Sequence, residues 1–227
     1  MNYQGKNQTE VFLDKEADGW FERNFKTQTK QDQDKDMALS FLLSLDLKDI
    51  SVLEVGCADG WRLDRLSQAG CQECVGVDPS AKAVAMGQSR FPDVSLKVGT
   101  ASNTNIDNKT FDIVVAGFCL YLCDRSELFK IAYEFDRLLN DGGMIVITDF
   151  ISDIPYRNKY SHCEGLYSYK MDYSKLFCWN PIYSIIYQRN VDMKDLSISG
   201  ENRDDKITLT VIKKKNKGSY PLEPYSV

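Results

Sequence analysis

The chain lacks the features that mark several large classes of protein. It has no run of eighteen apolar residues, about the length a membrane-spanning helix requires. Its first twenty residues carry Lys6, Glu10, Asp14, Lys15, Glu16 and Asp18 along their whole length, so the apolar heart of a secretory signal is missing. Long basic blocks are absent and the net charge is −5, which argues against general nucleic-acid binding, where lysine and arginine must neutralise phosphate. A cytoplasmic protein with neither membrane nor nucleic acid as partner is expected. Histidine occurs once, at His162. The seven cysteines are an odd number scattered through apolar segments, and without an export signal reduced thiols are expected. Cys71 and Cys74 form a C-x-x-C, but a structural zinc needs a second pair at matching spacing, which Cys119 and Cys123 do not supply inside an apolar, strand-like run. No metal site is expected.

What is present suits one sizeable core: 227 residues, 43% hydrophobic and 27% charged. The expectation is a single domain over residues 1–227, with an N-terminal lid or extension at 1–35 and a substrate-side insertion at 151–180. The organising stretch is SVLEVGCADG, residues 51–60. Val52, Leu53 and Val55 read as a buried parallel strand, Gly56 and Gly60 follow, and WRLDRLSQAG then carries Leu63 and Leu66 at helical spacing up to Gly70. Strand, glycine loop and helix in succession place unpaired helix N–H groups and bare backbone beside a ligand lying over the strand end.

Spacing discriminates between the ligands that use such a turn. A dinucleotide fingerprint starting at Gly56 needs glycine at positions 58 and 61, where this chain has Ala58 and Trp61. What remains, Glu54-x-Gly56-Cys57-x-x-Gly60, resembles motif I of the class I S-adenosylmethionine (AdoMet) methyltransferases, although that family commonly has glycine where Ala58 stands. The resemblance implies that Gly56, Cys57, Ala58 and Gly60 wrap the methionine portion of the cofactor and that Glu54 reaches toward its ammonium group.

The second strand pattern, CVGVDPS, ends at Asp78, about two dozen residues after Glu54, with Pro79 next to it. A carboxylate there can accept both hydroxyls of a ribose, while Ser80 is the better N-cap for the helix that follows. After a third strand at SLKVGT, the resemblance implies adenine contacts from Thr100, Ala101 and Ser102; the acid that the family often has near this point is missing until Asp107. FDIVVAGFCLYL resembles the family's next motif, which implies Gly117 and Phe118 facing the cofactor and Tyr121 near the reacting methyl or on the helix side. Leu128, Ile131, Ala132, Phe135, Leu138 and Leu139 make one helical stripe, Asp124 and Glu127 are spaced as a capping-box variant, NDGG closes the helix, and MIVITDF is the fifth strand. PIYSIIYQRNV and DKITLTVIKKK read as a late antiparallel hairpin, and residues 215–227 as a tail. The fold class is α/β: a Rossmann-like, doubly wound, seven-stranded sheet, mostly parallel, with helices on both faces.

Two segments remain. Residues 1–19 are polar and expected to pack loosely, the WFERNF that follows is a lid segment or an N-terminal helix, and 27–36 is a solvated connection. Between Tyr156 and Arg189 lie seven of the twelve tyrosines, together with five lysines or arginines against Glu164 and Asp172. Such a surface suits an anionic or sugar-bearing small acceptor, and Trp20, Arg23, Tyr156, Arg157, Tyr160, Tyr167, Tyr169 and Lys170 are the substrate-side candidates, each of which could equally be packing. His162, with a free pKa near working pH, is a candidate general base, Asp149 a second, and Tyr121 a third site-lining group. GFCLYLCDR, KMDYSKLF and NPIYSIIYQ look like small-molecule methyltransferases encoded with bacterial surface-polysaccharide genes, including ones proposed for O-methyl phosphoramidate decoration of capsules. That likeness implies methylation at an oxygen of a sugar, phosphate or phosphoramidate, with S-adenosylhomocysteine as coproduct. A non-catalytic AdoMet-binding module and, against the glycine spacing, a nicotinamide-dependent oxidoreductase are the alternatives.

Overall fold

The structure is a computed structural model that describes residues 7–25, 33–107, 109–198 and 202–215. Its centre is β1 (Ser51–Val55), whose apolar residues are buried on both sides because successive side chains point to opposite faces. Val52 joins one layer of the core with Leu63, Leu66 and Val84, while Leu53 and Val55 join the other with Ile131, Phe135 and Leu138. Both neighbours of β1 run parallel to it: Leu53 stands opposite Val75 of β2 (Glu73–Asp78) and Val114 of β4 (Phe111–Gly117).

The chain steps outward from β1 to β2 and to β3 (Ser95–Val98), then returns to the other side of β1 for β4 and β5 (Leu139–Phe150). With β9 (Lys206–Lys214) and β8 (Tyr183–Asp192) antiparallel at the far end, the seven-stranded order is β3-β2-β1-β4-β5-β9-β8. The strand order reverses between β1 and β4, so a crevice opens beyond their carboxyl ends. Helices Met37–Leu42, Trp61–Gln68 and Ala81–Arg90 cover one face, and Leu128–Leu138 with the 3-10 turn Tyr173–Leu176 covers the other. No helix among the described residues is long and apolar enough to cross a membrane.

Three local readings are corrected, and one segment gains a structure of its own. Residues 8–19 are helical, not loose: Gln8–Val11, a π turn at Phe12–Glu16 and Ala17–Phe25 follow one another without a break. Asn7 and Glu10 cap the start reciprocally, and Gln8, Val11, Glu16, Ala17 and Phe21 are buried. β3 stops at Val98, because Thr100 turns back to exchange backbone hydrogen bonds with Asn103. β5 starts early, at Leu139, so NDGG lies within the strand at a register shift rather than closing the helix. The 151–180 insertion contains a small two-stranded sheet of its own, β6 (Tyr156–Lys159) against β7 (Tyr167–Lys170). Residues 1–6, 27–32 and 216–227 of the expected extension, connection and tail lie outside the described residues.

Candidate active site

At the end of β1 the backbone turns sharply through Gly56, with φ +76°. A Cβ on Gly56 would lie 2.5 Å from the Cβ of Cys119, so only glycine fits. Ala58 adopts φ 50° and Gly60 φ 78°, and Gly60 then caps the helix Trp61–Gln68. The loop is tied to the second strand: the N–H groups of Gly56 and Cys57 donate to the Val77 carbonyl, and Ala58 N–H donates to Asp78 Oδ2 at 2.8 Å.

Asp78 is buried at the tip of β2, and its other oxygen accepts the Ser80 N–H at 2.8 Å. Burial pushes its pKa up to about 6, against the two N–H donors that favour the charged form. It lines a cavity with Val77, Pro79, Thr100, Ala101, Ser102 and Phe118. Helix residues Thr9, Phe12, Ala17 and Trp20 close it from above. A second cavity is lined by Glu54, Cys57, Ala58, Arg62 and Gly117. Trp20, Gly56 and Phe118 line both, so the two are halves of one cleft.

Two charged groups of the cleft have roles that motif reading does not supply. Arg62 is buried: its Nη1 is paired with Glu54 Oε1, its Nη2 with Asp36 Oδ2 at 2.7 Å, and its Nε with Asp36 Oδ1 at 3.1 Å. Burial alone would raise the Asp36 carboxyl, but the Arg62 guanidinium outweighs it and holds the group below its ordinary value. Glu54 is therefore committed through one oxygen, while Oε2 is buried with no hydrogen-bond partner among the described residues. A signal existed, since an arginine in the first turn of a helix opposes the helix dipole and needs a compensating reason. The second group is Glu127, whose Oε2 accepts the Thr9 hydroxyl at 2.7 Å and the Ser102 hydroxyl at 2.8 Å. It is the N-cap residue of Leu128–Leu138 without a side-chain cap bond, and its carboxylate instead lines the cavity.

Residues 52–143 match the family model of a methyltransferase domain. An uncharacterized methyltransferase of Schizosaccharomyces pombe is 26% identical over 121 residues, 51% of this chain and 47% of that protein. The tRNA U34 carboxymethyltransferase of Campylobacter hominis is 29% identical over 116 residues, 48% of this chain and 39% of that protein. The ubiquinone/menaquinone biosynthesis C-methyltransferase UbiE of Campylobacter jejuni is 26% identical over 116 residues, 48% of each chain. This chain thus spans about half the length, or less, of these curated relatives. Among solved structures, N-methyltransferase NodS of Bradyrhizobium japonicum in complex with S-adenosyl-L-homocysteine has a TM-score of 0.62 at 16% identity, covering 92% of this chain and 99% of that one. An S-adenosylmethionine-dependent methyltransferase of Mesorhizobium loti gives 0.60 at 13% identity, over 78% and 96%. The fold is that of class I methyltransferases.

Within this methyltransferase fold the acceptor-side candidates fall into two groups. Near the cleft, Tyr121 packs edge-on against Phe150 with ring centroids 5.0 Å apart, and Phe150 meets Phe118 at 5.7 Å. The Tyr121 hydroxyl is hydrogen-bonded by the Trp20 side chain, and burial, then nearby Asp149, push its pKa up. Lys170 is buried with its ammonium on the Phe150 ring, and burial pushes its pKa down to about 8. Arg23 is ion-paired to Glu16 and donates to the Tyr160 hydroxyl at 3.1 Å. Farther out on the small sheet, Tyr156 donates to Asp204, Arg157 lies over the Tyr167 ring, and Tyr169 lies under Arg125. Of these eight substrate-side candidates only Trp20 lines the cleft. His162 is exposed, its ring edge-on to Tyr160, and lines neither cavity. Asp149 is fully buried behind the lining, accepting the N–H groups of Leu120, Tyr121 and Phe150; burial raises its pKa to about 7.

Proposed function

We propose that this protein binds S-adenosylmethionine in the two-part cleft and transfers its methyl group to a small acceptor at the Trp20–Phe118 junction. The observation that carries the reading is the placement of Asp78: a buried carboxylate fixed by two backbone N–H groups, at the rim of an apolar cavity, has lone pairs left to accept a pair of ribose hydroxyls. The other half of the cleft fits a zwitterion. Glu54 Oε2 is a buried acceptor with no partner among the described residues, suited to an ammonium, and the Arg62 guanidinium beside it suits a carboxylate. Bound there, the donor supplies an electrophilic methyl on a sulfonium, and displacement at that carbon needs alignment above all.

The chain's own residues supply that alignment. Gly56 carries the turn past Cys119 where no side chain fits, Trp20 and Phe118 wall the junction, and Tyr121, which lines neither half of the cleft, steadies the Trp20 side chain through their hydrogen bond. The acceptor in this reading is an oxygen of a sugar, phosphate or phosphoramidate in surface-polysaccharide biosynthesis. The net charge of −5 supports a small partner over a polynucleotide. An already ionised oxygen needs no base; a hydroxyl acceptor would call on His162 or Asp149 after a rearrangement of their surroundings.

Calorimetry with S-adenosylhomocysteine tests the cofactor reading. Wild type should bind, and Asp78→Ala should bind at least about tenfold more weakly, the loss expected for hydrogen bonds to a charged group. Because acceptance of both hydroxyls needs the ionised carboxylate, affinity should also fall as pH drops through about 6. Equal affinity in wild type and variant at all pH values would refute the ribose assignment. Consumption of AdoMet with a panel of phosphorylated sugars then tests transfer.

A further inference from the structure

The adenine end of the cleft raises a question of its own. The loop after β3 runs Gly99, Thr100, Ala101, Ser102 along the cavity and contains no acid. A purine carrying an exocyclic amino group, buried among Val77, Ala101, Leu122 and Ile131, would leave that donor unsatisfied unless an acceptor were aimed at it. The cavity lining has two carboxylates, Asp78 and Glu127. Asp78 stands at the strand tip and is claimed by the sugar in the reading above. Glu127 arrives from a distant part of the chain and sits against the loop: its Oε2 holds the Ser102 hydroxyl, and Ser102 in turn lies 3.3 Å from the Thr100 hydroxyl. Oε1 of Glu127 has no hydrogen-bond partner among the described residues.

We infer that Glu127 is the acceptor for the adenine 6-amino group and so selects adenine among purines. The assignment rests on the AdoMet reading of the cleft. Both oxygens are then used: Oε2 anchors the carboxylate to the loop and to Thr9 of the covering helix, and Oε1 meets the base. Anchoring by two hydroxyls fixes the rotamer before the ligand arrives, which is what makes a charged acceptor selective rather than merely attractive.

The test compares S-adenosylhomocysteine with its des-amino analogue, in which purine replaces adenine, by calorimetry on the full chain. Wild type should bind the analogue roughly 10- to 100-fold more weakly, the loss expected for a hydrogen bond to a charged acceptor. In Glu127→Ala the two ligands should bind within about threefold of each other, and Glu127→Gln, which keeps a carbonyl acceptor, should restore part of the preference. Thr9→Val removes one of the two anchors but not the carboxylate and should lower the ratio only in part, because the Ser102 hydroxyl still holds Oε2. A wild type that binds both ligands equally, or a Glu127→Gln or Glu127→Ala protein that keeps the full wild-type ratio, overturns the assignment while leaving the cofactor reading intact. No binding of S-adenosylhomocysteine by wild type overturns both.

Discussion

Single residues show how much of the cleft can be read locally. The turn at Gly56 and the place of Asp78 at a strand end follow from backbone geometry, which sequence spacing encodes directly, so those two positions were legible. Ala58 was legible as a departure from the motif, and the structure gives its consequence: φ 50° is a conformation that alanine adopts at a cost of roughly 1–2 kcal/mol. Its only role in the tie to Asp78 is through the backbone N–H, which glycine keeps. Ala58→Gly should therefore stabilise the protein by up to about 1 kcal/mol in urea unfolding, because the added flexibility of the unfolded chain offsets part of the relief. S-adenosylhomocysteine affinity should stay within about twofold. A destabilised variant would mean that the methyl group contributes packing that outweighs its strain. Arg62 and Glu127 were not legible in the same way, because their partners Asp36, Glu54, Thr9 and Ser102 are brought together only by tertiary structure.

Among the elements, the N-terminal helix departs most from its sequence appearance. Its polar composition suggested a loose end, yet Asn7 and Glu10 carry a capping box and the buried positions are partly polar ones such as Gln8 and Glu16. Those polar groups are satisfied across the cleft rather than by solvent. Gln8 Nε2 donates to the carbonyls of Leu122 and Tyr167 and its Oε1 accepts the Tyr167 N–H; at the other end Asp18 accepts the Ser80 hydroxyl and the Lys82 N–H. The helix is thus a strap fastened at both ends over the half of the cleft that Asp78 lines, and a ligand filling that half must enter or leave with one fastening undone. Gln8→Ala removes the inner fastening, at a cost of about 1–3 kcal/mol for buried hydrogen bonds. The dissociation rate of S-adenosylhomocysteine, followed by stopped-flow displacement, should rise about tenfold or more. An unchanged rate would show that the strap does not gate the site.

At the scale of the whole molecule, strand alternation and the order of elements fix the sheet, but not the electrostatic cost of what the sheet encloses. Asp78 and Asp149 are buried with pKa values raised to about 6 and about 7, whereas Asp36 and Glu134 are held below their ordinary values once arginine partners outweigh burial. The two sets pull stability in opposite directions. A carboxyl with a raised pKa binds its proton more tightly folded than unfolded, so its contribution declines as pH rises from about 4, where the unfolded chain ionises, through 6 to 7. The lowered set loses its contribution only as pH falls below about 4. Unfolding free energy of the ligand-free protein should consequently peak near pH 4 and decline toward pH 7.5. Asp149 is the larger source, being fully buried with only backbone N–H groups as hydrogen-bond partners, so Asp149→Asn should flatten the decline between pH 5 and 7.5. It should also lower stability at pH 5, since an amide nitrogen would face one of the N–H groups now bonded to carboxylate oxygen. Urea titrations of both proteins across that range decide it: parallel curves would mean that Asp149 folds already ionised, with the three N–H groups outweighing its burial.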